Sequence, residues 1–220
     1  MKRVIGYYGI WAALTYLSIV SAVLGMFLAL NGNLGFAIVC LMISGLCDMF
    51  DGTVARMRHR TENQESYGIQ IDALADIVAF GVFPVVIGFS AGAHLIFYNN
   101  TGLGLGFSIA IGSVYILAAL IRLAYFNAQE IELKTKGERR TYYEGMPVTF
   151  VAILIPLVYA ICLIFEIELA HVYNVMLLII AAAFLLRIRI PKVRGRYLLA
   201  FLLIGLPIAV YLIWNIGVRI

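Results

Sequence analysis

Residues 34–56 read LGFAIVCLMISGLCDMFDGTVAR, an apolar run that ends in two aspartates and an arginine. A helix of about 20 mainly apolar residues crosses the ~30 Å hydrocarbon core of a bilayer, so this run is long enough to span one. Comparable runs recur along the chain, in which 63% of the residues are hydrophobic and 13% are charged. The sequence therefore predicts an all-α protein, a polytopic bundle of transmembrane helices.

Seven candidate spans follow from the lengths of the apolar runs and from the breaks between them, at about residues 9–30, 34–56, 68–96, 105–127, 147–166, 172–187 and 197–217. We expect one integral membrane domain over residues 1–220, because the longest polar stretch, about 128–146, is typical of a loop or a surface helix. The first run is too long for the apolar part of a cleavable signal peptide and predicts a retained span. A closed β-barrel is disfavoured because the runs are continuously apolar and do not alternate.

Basic residues lie mainly at one set of span ends. Of the 16 lysines and arginines, 14 fall at residues 2–3, 56–60, 134–140 and 187–196. Lysine and arginine near span ends are retained on the cytoplasmic side, so we expect the N-terminus inside the cell membrane, the C-terminus outside and an odd number of spans. These bases can rest against anionic lipid headgroups, so the net charge of +4 does not call for a nucleic acid, and none is expected as a partner.

All four aspartates of the chain lie in one short window, at Asp48, Asp51, Asp72 and Asp76. Their spacings of three and four residues put each pair on one helix face, at the inner ends of the second and third spans. Four bare carboxylates in one space near hydrocarbon would repel each other. Mg²⁺ or Mn²⁺ takes such oxygen ligands, and two ions would nearly neutralise four carboxylates. We therefore predict a two-metal centre, of the kind that holds phosphate oxygens during displacement at phosphorus.

Small residues and one base flank these carboxylates. Gly52 and Ala55 follow Asp48 by four and seven residues on the same helix face, and Gly68 lies four residues before the third aspartate, so each leaves room beside the metals. Arg56, about 12 Å of helix rise beyond Asp48, can bind phosphate oxygens through two donors. Two other interpretations stay open: solvated or proton-carrying carboxylates, and a divalent-cation transporter, whose site is expected near the bilayer midplane.

At these positions the sequence resembles the CDP-alcohol phosphotransferase family. The family signature is Asp-x-x-Asp-Gly-x-x-Ala-Arg followed by Gly-x-x-x-Asp-x-x-x-Asp, and here it reads DMFDGTVAR at 48–56 and GIQIDALAD at 68–76. The resemblance implies six core transmembrane helices, usually in a homodimer, and a metal-dependent site facing the cytoplasm. That site would move a phosphatidyl or related group from a CDP-lipid to an alcohol. The core would cover about residues 8–190, and the run at about 197–217 would be an extra C-terminal helix.

The resemblance also implies roles for single residues. It makes Asp76 the base that takes the proton from the acceptor hydroxyl, beside metal ligands at Asp48, Asp51 and Asp72. In this arrangement Asp76 also completes the acidic metal-binding cluster. The cytidine diphosphate of the lipid would lie against Asp48, Gly52, Ala55, Arg56 and Gly68.

Four further stretches resemble the phosphatidylserine synthase branch of that family: ADIVAFGVFP (75–84), RLAYFN (122–127), EGMPVTF (144–150) and RIRIPKV (187–193). This branch implies L-serine as the acceptor and CDP-diacylglycerol or CDP-archaeol as the donor lipid. Serine carries a carboxylate, and Arg122 in the fourth candidate span is the candidate cation for it; the alternative is an arginine whose side chain extends to the membrane interface. Asn127 either assists Arg122 or caps the end of the helix. Inositol phosphate and glycerol phosphate remain alternative acceptors, although their own phosphate would call for more basic residues near the site.

Overall fold

Helices contain most of the residues that the computed structural model describes, which are 5–56, 61–92, 102–136, 142–187, 189–191 and 201–219. We number the α-helices in chain order: α1 Ala13–Leu30, α2 Leu34–Arg56, α3 Glu62–Asp76, α4 Phe83–Ser90, α5 Gly102–Lys136, α6 Val151–Ile164, α7 Leu169–Leu185 and α8 Leu206–Arg219. Two π-helical segments, Ile77–Val82 and Phe201–Gly205, lead directly into α4 and α8. Within the described residues, α3 and α4 therefore form one continuous helix, Glu62–Ser90.

Four of these helices are long and apolar enough to cross a membrane by length and composition: Ala13–Leu30, Leu34–Gly52, Glu62–Ser90 and Gly104–Leu133. Three shorter apolar helices follow, at Val148–Ile164, Leu169–Leu185 and Leu203–Asn215. Every expected span thus coincides with a helix, and the prediction of a polytopic all-α bundle is confirmed. Residues 93–96 and 197–200 of the expected spans lie outside the described residues.

Two helix boundaries differ from the sequence prediction. The third span begins at Glu62, six residues before the expected start, because Thr61 and Gln64 form a capping box that starts a helix in polar sequence. The fourth helix continues to Lys136, which excludes the alternative that Asn127 caps its end. At about 1.5 Å per residue this 35-residue helix is longer than the ~30 Å core of a bilayer, so its polar end extends beyond the hydrocarbon.

A two-stranded ribbon, which the sequence did not indicate, joins two of the connections between helices. Strand β1, Tyr142–Glu144, pairs antiparallel with strand β2, Arg189–Pro191, and Glu144 lies opposite Arg189. The ribbon thus links the segment that precedes α6 to the segment that follows α7. Three residues per strand are too few to produce a recognisable alternating pattern.

Helices α1 and α2 pack closely through small and hydroxyl-bearing side chains. The hydroxyls of Ser18 and Ser44 lie 2.7 Å apart, and Ser21 donates to the carbonyl of Cys40 at 2.9 Å. Gly25 continues this seam, where a Cβ would clash with the ring of Phe83 and lie 2.8 Å from Cys40 Cβ. The hydrophobic effect does not drive apolar helices together within lipid, so van der Waals packing at close approach and interhelical hydrogen bonds stabilise the α1–α2 pair. Helix α2 also contacts α4, α6 and α8, which places it at the centre of the bundle.

A π-helical segment and a proline interrupt the regular α-helical hydrogen bonding of the third span after Asp76. Pro84 has no N–H to donate to the carbonyl of Phe80 four residues earlier, and the hydroxyl of Tyr115 on α5 donates to that carbonyl at 2.7 Å. Tyr115 is fully buried. Tertiary contact thus stabilises the irregular turn next to the last aspartate.

Candidate metal centre

The C-terminal end of α2 and the α3 part of the third span bring the aspartates together. One carboxylate oxygen from each of Asp48, Asp72 and Asp76 lies within 4.8 Å of the other two. The carboxyl group of Asp48 contacts that of Asp76, and the carboxyl group of Asp51 contacts that of Asp72. Asp51 is outside the mutual group of three and is 8% exposed. The four carboxyl groups therefore form one cluster with Asp51 at its side.

Two threonines that the sequence reasoning missed donate to the aspartates of α2. The hydroxyl of Thr149, in the turn before α6, donates to Asp48 Oδ2 at 2.6 Å. The hydroxyl of Thr15 on α1 donates to Asp51 Oδ2 at 3.0 Å. Thr149 lies within the EGMPVTF stretch, and the resemblance of that stretch to the family branch was the one sequence feature that pointed to this threonine. Nothing in the sequence distinguishes Thr15.

The donor set fits a divalent cation. Oxygen atoms of three half-buried carboxylates converge, and Oδ1 of Asp72 is buried with no hydrogen-bond partner among the described residues. A buried carboxylate oxygen without a partner is costly, and an ion bound there would supply the missing interaction. Hard cations prefer carboxylate oxygens, so these residues could hold such an ion.

The residues expected to bind a CDP-lipid lie along the same two helices. Gly52 is exposed near the C-terminal end of α2, and Gly68 is half-buried on α3, one helical turn before Asp72. Arg56 is the last residue of α2, and its side chain and that of Ala55 lie outside the described part of the chain. The backbone thus places all of these positions on the elements that carry the aspartates.

Arg122 connects α5 to the turn that precedes Thr149. Its side chain is the buried basic side chain among the described residues, with 5% of its surface exposed. Its Nε donates to the carbonyl of Met146 at 3.2 Å and its Nη2 to the carbonyl of Gly145 at 3.3 Å. Gly145 adopts φ +83°, and a Cβ there would lie 3.0 Å from the carbonyl oxygen of Leu186, so a side chain would be strained at this turn.

Asn127 lies half-buried on the same helix as Arg122. Because α5 is continuous through both positions, five residues apart, the two side chains leave the helix about 140° from each other. The structure therefore does not put Arg122 and Asn127 on one face of α5.

Fold and site together define an integral membrane protein: a polytopic helical bundle with a carboxylate cluster suited to a divalent cation. The sequence model of the family described as CDP-alcohol phosphatidyltransferase matches residues 12–187, and the chain belongs to that family. The match includes every aspartate of the cluster, together with Arg122 and the turn that carries Thr149.

Similar proteins come from all three domains of life. The chain is 34% identical over 124 residues to a CDP-diacylglycerol–serine O-phosphatidyltransferase of Saccharomyces cerevisiae, which covers 54% of this chain and 40% of the yeast protein. It is 25% identical over 194 residues to the archaetidylserine synthase of Methanothermobacter thermautotrophicus, covering 88% of this chain and 74% of that relative. A Bacillus subtilis CDP-diacylglycerol–serine O-phosphatidyltransferase is 25% identical over 162 residues, covering 74% of this chain and 75% of that relative. The chain thus spans less than half of the yeast relative's length.

Proposed function

We propose that this protein transfers a phosphatidyl or archaetidyl group from a CDP-lipid to the hydroxyl of L-serine and releases CMP. The observation that carries the proposal is the convergence of Asp48, Asp72 and Asp76 on one point, in a chain of the CDP-alcohol phosphatidyltransferase family. The relatives described above are named for serine as acceptor, which supports serine over inositol phosphate or glycerol phosphate.

The carboxylates of Asp48, Asp51, Asp72 and Asp76 are proposed to hold two divalent ions, Mg²⁺ or Mn²⁺. Two ions held by these residues would offset the negative charge of the four carboxylates and of the diphosphate during displacement at phosphorus. The contact pairs Asp48 with Asp76 and Asp51 with Asp72 support this proposal, because each helix contributes to both pairs.

Asp76 is proposed to act as the general base. The serine oxygen forms a bond to the phosphorus that carries the lipid, and the bond from that phosphorus to the bridging oxygen breaks. The pair of electrons leaves with CMP, and Asp76 accepts the hydroxyl proton as the new bond forms. Asp76 is the last residue of α3, where the π-helical turn begins and Tyr115 stabilises the backbone, so its position is well defined.

The CDP-lipid is proposed to bind along α2 and α3, against Asp48, Gly52, Ala55, Arg56 and Gly68. Small residues leave space for a nucleotide beside the carboxylates, and the guanidinium of Arg56 suits a phosphate. Arg122 is proposed to attract the serine carboxylate, because it places a buried positive charge next to the turn that reaches Asp48 through Thr149. Asn127 is proposed to contact the acceptor independently of Arg122, because its side chain leaves α5 on a different face.

We further propose that the chain forms one membrane domain, residues 1–220, and assembles as a homodimer in the cell membrane. Its N-terminus and the carboxylate cluster are proposed to face the cytoplasm. The concentration of basic residues at the same ends of the helices as the aspartates supports this orientation.

The test is release of CMP by the purified protein in detergent, with Mg²⁺ or Mn²⁺. Each of CDP-diacylglycerol and CDP-archaeol is supplied with serine, inositol phosphate or glycerol phosphate in turn. We expect CMP with serine and its loss when the metal is chelated. Release with inositol phosphate alone would overturn the serine proposal, and no release with any acceptor would overturn the transferase proposal.

The same assay tests Arg122. We expect Arg122→Gln to raise the KM for serine more than the KM for the CDP-lipid, because the lost charge faces the acceptor. Arg187→Gln is the matched control, since Arg187 is exposed and its guanidinium donates to the hydroxyl of Tyr125, which lies on α5 as Arg122 does. Equal KM values for serine in the two variants would contradict a role for Arg122 in acceptor binding.

A further inference from the structure

Thr15 and Thr149 contact the aspartates of α2 from two different sides. Thr15 lies on α1 and is 4% exposed, and Thr149 lies in the turn before α6. They are 36 and 101 residues from the aspartates that they contact. Each donates its hydroxyl to Oδ2 of one aspartate, Thr15 to Asp51 and Thr149 to Asp48.

A hydrogen bond to one oxygen of a carboxylate restricts rotation of the whole group and so sets the direction of the other oxygen. A bond to an ionised carboxylate is also stronger than a bond between neutral groups. Partners of this kind orient metal ligands, and their loss weakens metal binding even though they do not touch the metal. We propose that Thr15 and Thr149 are positioning residues that orient Asp51 and Asp48 for divalent-cation binding. The proposal rests on the metal-dependent function proposed above.

Both threonines are themselves held by the fold. Thr15 precedes Ser18 by one helical turn in the α1–α2 seam, where the hydroxyls of Ser18 and Ser44 bond to each other. Thr149 follows the Gly145–Met146 turn, whose carbonyls accept from Arg122. Because the donors are ordered by other contacts, the carboxylates do not have to immobilise them when an ion binds.

The seam also supplies a matched control. Ser21 is buried on the same helix as Thr15, and its hydroxyl donates to the carbonyl of Cys40 instead of to a carboxylate. Removing the Ser21 hydroxyl takes away an interhelical hydrogen bond of the seam while leaving every aspartate with its partner. Its effect therefore measures the contribution of such a bond to stability alone.

The experiment compares wild-type protein with the variants Thr15→Val, Thr149→Val, Thr15→Ser, Thr149→Ser and Ser21→Ala, all full-length in detergent. Binding of Mn²⁺ is measured from the electron paramagnetic resonance signal of the free ion, without substrate, and thermal unfolding is measured beside it. We expect each valine variant to bind Mn²⁺ about 10- to 100-fold more weakly, since valine keeps the shape but removes the hydroxyl. We expect both serine variants to bind much more tightly than the valine variants. Ser21→Ala should lower the unfolding temperature and leave Mn²⁺ affinity unchanged.

Each outcome separates this inference from the proposed function. Suppose that the wild-type protein releases CMP and that the valine variants bind Mn²⁺ as tightly as the wild type does. Then Thr15 and Thr149 do not position the ligands, and the proposed function stands. If wild-type protein neither binds Mn²⁺ nor releases CMP, the proposed function itself is wrong. Should a valine variant not fold, the alanine variant at that position removes the same hydroxyl with less bulk, and wild-type Mn²⁺ affinity in it would overturn the inference.

Discussion

The four aspartates have different surroundings although their sequence spacings are similar. Asp48 contacts Asp76 and accepts from Thr149, and Asp51 is nearly buried and accepts from Thr15. Asp72 retains an oxygen with no hydrogen-bond partner in the described structure. Because neighbouring groups set the properties of each carboxylate, these differences are consistent with the distinct roles of metal ligand and base proposed above.

Replacing single aspartates should separate these roles. We expect Asp76→Asn to abolish turnover and leave CDP-lipid binding largely intact, since an amide cannot accept the hydroxyl proton. We expect Asp48→Asn to raise the metal concentration needed for half-maximal activity, because it removes a charged ligand. CMP release and equilibrium binding of CDP-diacylglycerol measure the two effects.

Glu168→Gln is the control for the loss of one carboxylate, since Glu168 is highly exposed and lies at the start of α7. It should leave turnover and metal dependence unchanged. Lost lipid binding in Asp76→Asn, together with unaltered metal dependence in Asp48→Asn, would contradict the roles proposed for these two residues.

At the scale of the elements, the position of α2 depends on its close packing against α1. The seam between them uses small residues and hydroxyls, and it ends at the bond from Thr15 to Asp51. The irregular turn after Asp76 similarly depends on Tyr115 from α5. Helix packing therefore sets the separation between the carboxylates of α2 and those of α3.

Gly25→Ala should disturb this packing. A Cβ at Gly25 would clash with Phe83 and Cys40, so we expect a loss of about 1–3 kcal/mol in the free energy of unfolding, as for other overpacked cores. Gly106→Ala is the matched control on α5, because a Cβ there meets nothing within 4 Å. It should be neutral or raise stability by about 0.5–1 kcal/mol, since alanine favours helix. Thermal or denaturant unfolding in detergent measures both variants, and equal stability of the two would show that the seam tolerates a wider spacing.

At the scale of the whole molecule, the proposed orientation puts the Asn33 turn and the start of α3 on opposite sides of the membrane. Asn33 and Asn63 are exposed, whereas Cys40, Cys47 and Cys162 are buried, so we expect these three cysteines to react poorly with an impermeant reagent. We expect Asn33→Cys to react with an impermeant maleimide in intact cells, and Asn63→Cys to react only after lysis. The opposite pattern would reverse the proposed orientation and place the carboxylates outside.

The sequence by itself determined the membrane class, the approximate spans and the identity of the carboxylates. These properties are local: the length of an apolar run decides whether a helix can span, and spacings of three or four residues decide which side chains share a face. The EGMPVTF stretch was also recognisable, although the role of its threonine was not.

Only the tertiary structure decided which groups meet the carboxylates. Thr15 and Thr149 reach Asp51 and Asp48 across 36 and 101 residues, and Arg122 reaches the Gly145 carbonyl across 23. No periodicity encodes such contacts, because they depend on which helices are neighbours and on how far each is rotated about its axis. The alternative that Asn127 caps the end of its helix is excluded for a different reason, because the polar sequence that follows Asn127 stays helical to Lys136.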